Sequence, residues 1–129
     1  MHHLDTNVVV DFLRGDERTA NRISGLGNKI AISTPVLAEL FFGAEASARR
    51  AERVQEVESF LEHVELVVFD RAASVAYGRI RNELRRTGRP IGEMDTLIAA
   101  IAVANQVTLA TRNVKHFERI TELRVEDWS

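Results

Sequence analysis

The chain has 129 residues, 45% hydrophobic and 28% charged, with 17 Lys+Arg against 19 Asp+Glu and a net charge of −2. That balance suits one compact domain over residues 1–129, and the absence of cysteine excludes a disulfide framework and Cys-based zinc sites. No apolar run approaches the ~20 residues that span a bilayer, and the start lacks the basic-then-apolar layout of an export signal, so a cytoplasmic protein is expected.

"HHLD" reads as a short strand ending at Asp5, and "VVVDFLRG" as a short helix closed by Gly15. "DERTANRISGLG" is a polar helix with Asp16 as its N-cap and Gly27 just past its end. "KIAIS" is a buried strand. Thr34 and Pro35 then start a helix, with a hydroxyl cap followed by proline at the first helical position. This helix runs through "PVLAELFFGAEA", with Leu37, Leu40, Phe41 and Ala44 on one stripe. A further helix begins near Ser47, with Ala51, Val54, Val57, Leu61 and Val64 at three- and four-residue steps.

"VELVVF" is a strand, and Asp70 caps the next helix, which sets Ala73, Tyr77, Ile80 and Leu84 on one face and arginines on the other. "RTGRPIG" breaks it. "EMDTLIAAIAVAN" is nearly all apolar after Asp95 and so should be a buried helix. "VTLAT" is a strand, "VKHFERI" a helical turn and "LRVED" a final strand. Alternating strands and helices predict an open α/β sheet, mostly parallel, with helices on both faces. Ligands of such sheets gather beyond the carboxyl ends of the strands.

Three acids stand against apolar sequence. Asp5 follows the first strand, Glu39 is the only charge in "TPVLAELFFGA", and Asp95 opens the buried helix. Each has a plain structural explanation: a helix cap, a solvated helix face, an acid favoured by the helix dipole. Together they project over one edge of the sheet, where "LATRN" adds Asn113. Clustered carboxylates repel unless a cation neutralises them. Oxygen donors without His or Cys partners select Mg²⁺, with Mn²⁺ as a substitute. Such an ion polarises a phosphoryl oxygen and stabilises a leaving oxygen.

Residues 71 to 89 hold six arginines and one acid, Glu83. Arg81, Arg85, Arg86 and Arg89 lead toward Asp95, and Arg112 adds charge beside Asn113. A basic approach offsets the repulsion between an acidic centre and a substrate's phosphates, giving affinity without sequence choice. A solvated charged face is the plain alternative.

"LDTNVVVDFL", "STPVLAELFFGA", "GEMDTLIAAIAVAN" and "LATRNVKHFERI" resemble, in order and over essentially the whole chain, the four motifs of PIN-domain ribonucleases, and more narrowly VapC toxins. The resemblance implies a PIN-like three-layer α/β/α sandwich and a metal-dependent endoribonuclease. Asp5, Glu39 and Asp95 match the three acids of the active centre. Asp5 and Asp95 would ligate Mg²⁺, and Glu39 would act directly or through water. The fourth position, an acid in many members, reads Asn113. Thr6 and Asn7 would orient Asp5, and Thr111 would do the same for the fourth position. The implied partners are an RNA substrate, a VapB-like antitoxin and a second copy in a homodimer. Phe41, Phe42, Val54, Val57, Phe60 and Leu61, on two consecutive helices, are the candidate groove for the antitoxin.

Two other readings compete. A phospho-accepting receiver domain would use Asp70, but it needs an acid pair after the first strand and a late lysine at a strand end. A catalytically weak partner-binding module would keep the acids for docking alone, a reading that Asn113 favours.

Overall fold

The computed structural model describes residues Met1–Ser129. Five short strands form one sheet: β1 (His2–Leu4), β2 (Ile30–Ser33), β3 (Glu65–Val67), β4 (Thr108–Thr111) and β5 (Arg124–Asp127). Their order is β3-β2-β1-β4-β5, and every pairing is parallel. Parallel neighbours require crossovers. The helices that supply them are α1 (Thr6–Leu13), α2 (Glu17–Leu26), α3 (Thr34–Glu45), α4 (Arg50–Leu61), α5 (Arg71–Arg86), α6 (Glu93–Ala104) and the turn α7 (Val114–Phe117). This is the α/β/α sandwich expected from the sequence.

The chain fills the sheet outward on one side from β1 through β2 to β3, then returns to β4 on the other side of β1. The order therefore reverses at β1 and β4. Their carboxyl ends splay the following segments apart and open a crevice there.

The core follows from the patterning. Leu4, Ile32, Leu109 and Ala110 in the central strands are fully buried, as continuous apolar strands must be when helices cover both faces. Helix α6 buries Thr96 and Ile98–Ala102, as its all-round apolar sequence requires. Helix α5 packs against it with Ala73, Ala76, Ile80 and Leu84 buried; Ala76 takes the place expected for Tyr77, which is half-buried.

Local signals set most boundaries. Gly15, at φ +88, ends α1, and Gly27, at φ +63, ends α2; both lie where a Cβ is strained. Asp16 caps α2 by accepting from the Thr19 amide at 3.0 Å and its hydroxyl at 2.7 Å.

Several expectations need correction. Helix α3 is capped by Ser33, which makes no side-chain cap bond, so the hydroxyl cap expected of Thr34 does not form. Pro35 is thus the second helical residue, still in the turn whose N–H groups lack acceptors inside the helix. Helix α4 starts at Arg50 because the Ser47 hydroxyl accepts from the Arg49 amide at 3.0 Å, closing a turn first. In α4 it is Val57 and Phe60 that are buried, while Ala51 is exposed. Of the proposed groove residues, Phe42 is 76% exposed and Phe41 half-buried.

Candidate active site

Strand β1 delivers Asp5 to the crevice. The Asp5 amide donates to the Ala110 carbonyl at 2.9 Å, continuing the β1–β4 ladder one residue past the strand. The carboxylate is almost fully buried, at 4% exposure. Its Oδ1 accepts from the Thr6 amide at 2.9 Å and its Oδ2 from the Thr111 hydroxyl at 2.6 Å. Asp5 is thus the N-cap of α1 as well as a cleft residue; the plain reading and the functional one describe the same atoms.

The Thr6 hydroxyl turns the other way and donates to Glu39 Oε1 at 2.5 Å. One residue therefore ties two acids together. Asp95 comes from the first turn of α6, and its Oδ2 lies 3.3 Å from His116 Nδ1. The same ring nitrogen lies 2.8 Å from Asn113 Nδ2. The Thr111 hydroxyl also accepts from the Asn113 amide at 2.9 Å, which places Asn113 at the turn leaving β4.

A cleft of about 380 Å³ is lined by Asp5, Thr6, Asn7, Val10, Asp11, Arg14, Glu39, Asp95, Arg112 and Asn113. The four residues singled out from sequence, Asp5, Glu39, Asp95 and Asn113, meet here from four separate segments. Burial is the main force that raises the Asp5 carboxyl from 3.8 to about 6; the Thr111 and Thr6 hydrogen bonds oppose it, and the charges of Asp95 and Glu39 add to the rise. A carboxylate in this position gains from any cation that enters the cleft.

No trio of His, Asp or Glu side chains stands close enough to hold an ion unaided. An ion that keeps much of its water shell suits this opening, and the cleft lining offers carboxylate, amide and hydroxyl oxygens, with the His116 ring behind Asp95. Both features fit Mg²⁺ or Mn²⁺.

The orienting residues differ in detail from expectation. The Thr6 hydroxyl serves Glu39, and only its amide serves Asp5. The Asn7 side chain accepts from the Arg112 amide at 3.3 Å instead of touching Asp5. The Thr111 hydroxyl holds Asp5 as well as the fourth position.

Among the predicted RNA-binding arginines, Arg112 lines the cleft, whereas Arg81, Arg85, Arg86 and Arg89 do not. Arg81 lies over the Tyr77 ring and pairs with Glu93 at 3.8 Å. Arg86 pairs with Glu83, and Arg85 donates to Asn82 at 2.9 Å. Arg112 itself is held by both oxygens of Asp11, each at 3.0 Å.

Sequence reasoning missed Asp11, Arg14 and the contacts of His116. The signal for the first two was present: they stand four and seven residues after Asn7, on one face of α1. Asp70, the alternative phosphoacceptor, lies outside the cleft and caps α5 by accepting from the Ala73 amide at 2.9 Å.

The PIN domain family model matches residues 3–123. The chain belongs to the PIN-domain family. Within that family its relatives are VapC proteins. It is 35% identical over 127 residues to the tRNA(fMet)-specific endonuclease VapC of Shigella flexneri, covering 98% of this chain and 96% of the relative. It is 37% identical over 131 residues to ribonuclease VapC2 of Rickettsia felis, covering 99% and 98%. Among solved structures, the VapBC2 complex of Rickettsia felis bound to a promoter DNA fragment aligns with a TM-score of 0.94 at 35% identity, covering 99% of this PIN domain chain and 98% of the other. DNA-bound VapBC of Salmonella typhimurium aligns at 0.95 and 34% identity, with the same coverage. No helix of this PIN protein is long and apolar enough to cross a membrane.

Proposed function

We propose that the protein is a Mg²⁺-dependent endoribonuclease, the VapC-type toxin of a toxin–antitoxin pair, that hydrolyses RNA phosphodiester bonds. One observation carries this reading: Asp5, Glu39 and Asp95, far apart in sequence, face one cleft, Asp5 held through both carboxylate oxygens and Glu39 and Asp95 each through one. The names of the curated relatives support it.

Asp5 and Asp95 would hold the ion, with Glu39 acting directly or through water and Asn113 offering an amide oxygen. The bound cation would supply charge against the developing phosphorane and lower the cost of deprotonating the attacking water. The protein's own contribution is preorganisation. Thr111 and Thr6 fix the acids before substrate arrives, so little reorganisation is needed during reaction. Arg112, whose one terminal nitrogen serves both oxygens of Asp11, can exchange that carboxylate for a phosphate, to which its guanidinium can present two N–H donors.

The partner reading rests on the neighbouring VapBC complexes. An apolar depression of about 390 Å³, lined by Phe12, Leu13, Ile23, Ile30, Phe60 and Val64 among others, suits the apolar face of a VapB-like segment. The proposal extends to a homodimer, which sedimentation of the partner-free protein tests.

The deciding experiment incubates labelled RNA with partner-free protein, with Mg²⁺ and then with EDTA. Cleavage should require the metal and vanish in Asp5→Asn and Asp95→Asn. Failure of a well-folded wild type to cut any RNA would leave the binding-module reading in its place.

A further inference from the structure

Beside the acidic cleft lies a second cavity of about 380 Å³, between α1, α3 and α4. The two share Val10, Arg14 and Glu39, so they adjoin. Gly43, Ala44 and Ser47 form part of its wall. These side chains are small, and a Cβ added at Gly43 would meet nothing within 4 Å.

The charges here are not equivalent. Arg53, on the same wall, is tied to Glu56 at 2.8 and 3.0 Å. Arg112 is held by Asp11. Arg14 is exposed, forms no ion pair and lines both cavities. Along a boundary that carries Asp5, Asp11, Glu39 and Asp95, Arg14 is the one guanidinium not tied to a carboxylate, and so the one place where a phosphate meets a free cation.

We infer that Arg14 binds the RNA phosphate next to the scissile one, and that the strand leaves the cleft through this cavity, its adjoining nucleotide lying against Gly43 and Ala44. The inference rests on the ribonuclease reading above and adds the strand's path. Arg14 offers two parallel N–H donors to a phosphate, and the small side chains let a sugar or base approach the helix closely. A binding pocket of this volume is of the order that takes one small-molecule-sized group. The arginines of α5, mostly paired on the outer surface, contribute long-range attraction instead.

The test measures binding of a fluorescein-labelled, mixed-sequence single-stranded RNA by anisotropy, in EDTA so that nothing is cut, across a series of salt concentrations. Each phosphate neutralised on a single strand contributes about 0.7 to the slope of log affinity against log salt. Arg14→Ala should reduce the slope by about that amount and weaken binding several-fold. Arg14→Lys should restore the slope. Gly43→Leu, which replaces a helical glycine and so should fold, should weaken binding by filling the cavity while leaving the slope nearly intact. Arg50→Ala, paired with Glu45 and outside both cavities, is the control. An unchanged slope in Arg14→Ala overturns the assignment and leaves the cavity to a protein partner. A wild type that neither binds RNA in EDTA nor cuts it with Mg²⁺ brings down the ribonuclease reading as well.

Discussion

The Thr111 hydroxyl donates to Asp5 Oδ2 at 2.6 Å, joining the carboxyl ends of β1 and β4 across 106 residues of sequence. The bond is buried, and Thr111 also accepts from the Asn113 amide. Thr111→Val keeps the shape and removes the hydroxyl. It should cost about 1–3 kcal/mol of stability, because Asp5 keeps its burial and loses a donor. Cleavage should fall by roughly 10- to 100-fold, the usual effect of losing a residue that orients a metal ligand. Denaturant unfolding and single-turnover cleavage check both; a fully active variant would show that Asp5 needs no such support.

Asp95→Asn should abolish cleavage and slightly raise the melting temperature of metal-free protein. The charge of Asp95 helps to raise the Asp5 carboxyl, so its removal relieves repulsion. The loss of an acid from the first turn of α6 opposes this by a few tenths of a kcal/mol, which leaves a rise of about 1–3 °C. Thermal melts in EDTA decide the matter, and a lower melting temperature than wild type counts against a repulsive cluster.

Stability in EDTA should vary little between about pH 4 and 6, because two buried groups pull in opposite directions. Burial raises the Asp5 carboxyl to about 6. Folding is therefore favoured by its protonation at acid pH, and that contribution is lost as pH rises from the ordinary 3.8 through about 6. Burial, with the nearby N-terminal charge, lowers the His3 imidazole from 6.5 to about 4. That group penalises folding progressively as pH falls from 6.5 toward 4. Asp5→Asn should expose the His3 dependence, with stability dropping more steeply on acidification than in wild type. Urea unfolding at matched pH values measures it.

Asp70→Ala should cost about 1 kcal/mol through loss of the α5 cap and leave cleavage at the wild-type rate. Intact-mass analysis after incubation with a small phosphodonor should show no adduct on the wild type. A phosphorylated Asp70 would revive the receiver reading.

Much of this architecture was legible because it rests on local rules. The strand and helix alternation, the glycine ends of α1 and α2 and the Asp16 and Asp70 caps are short-range signals. The apolar run of α6 fixed its burial. The cleft acids were found because each sits where an apolar run makes a charge conspicuous. What escaped were relations set by tertiary contact. Whether the Thr6 hydroxyl faces Asp5 or Glu39 depends on how closely α3 approaches α1. Whether an arginine is free or paired depends on which acid packing brings near it: Arg86 has Glu83 one turn away, but Arg112 meets Asp11 from 101 residues earlier. The count of arginines in α5 therefore overstated their share of the cleft, while Arg14, isolated in sequence, was marked only by its seven-residue spacing from Asn7.

The parallel order of the sheet has a consequence for synthesis. Strand β4, which carries Thr111, Arg112 and Asn113, comes near the end of the chain yet lies directly beside β1. Until β4 has been made and has paired with β1, Asp5 lacks both the Thr111 donor and the Ala110 carbonyl that its amide needs. Residues 1–107 alone cannot close the cleft: Arg112 and Asn113 of its wall and the buried donor to Asp5 all arrive together with β4.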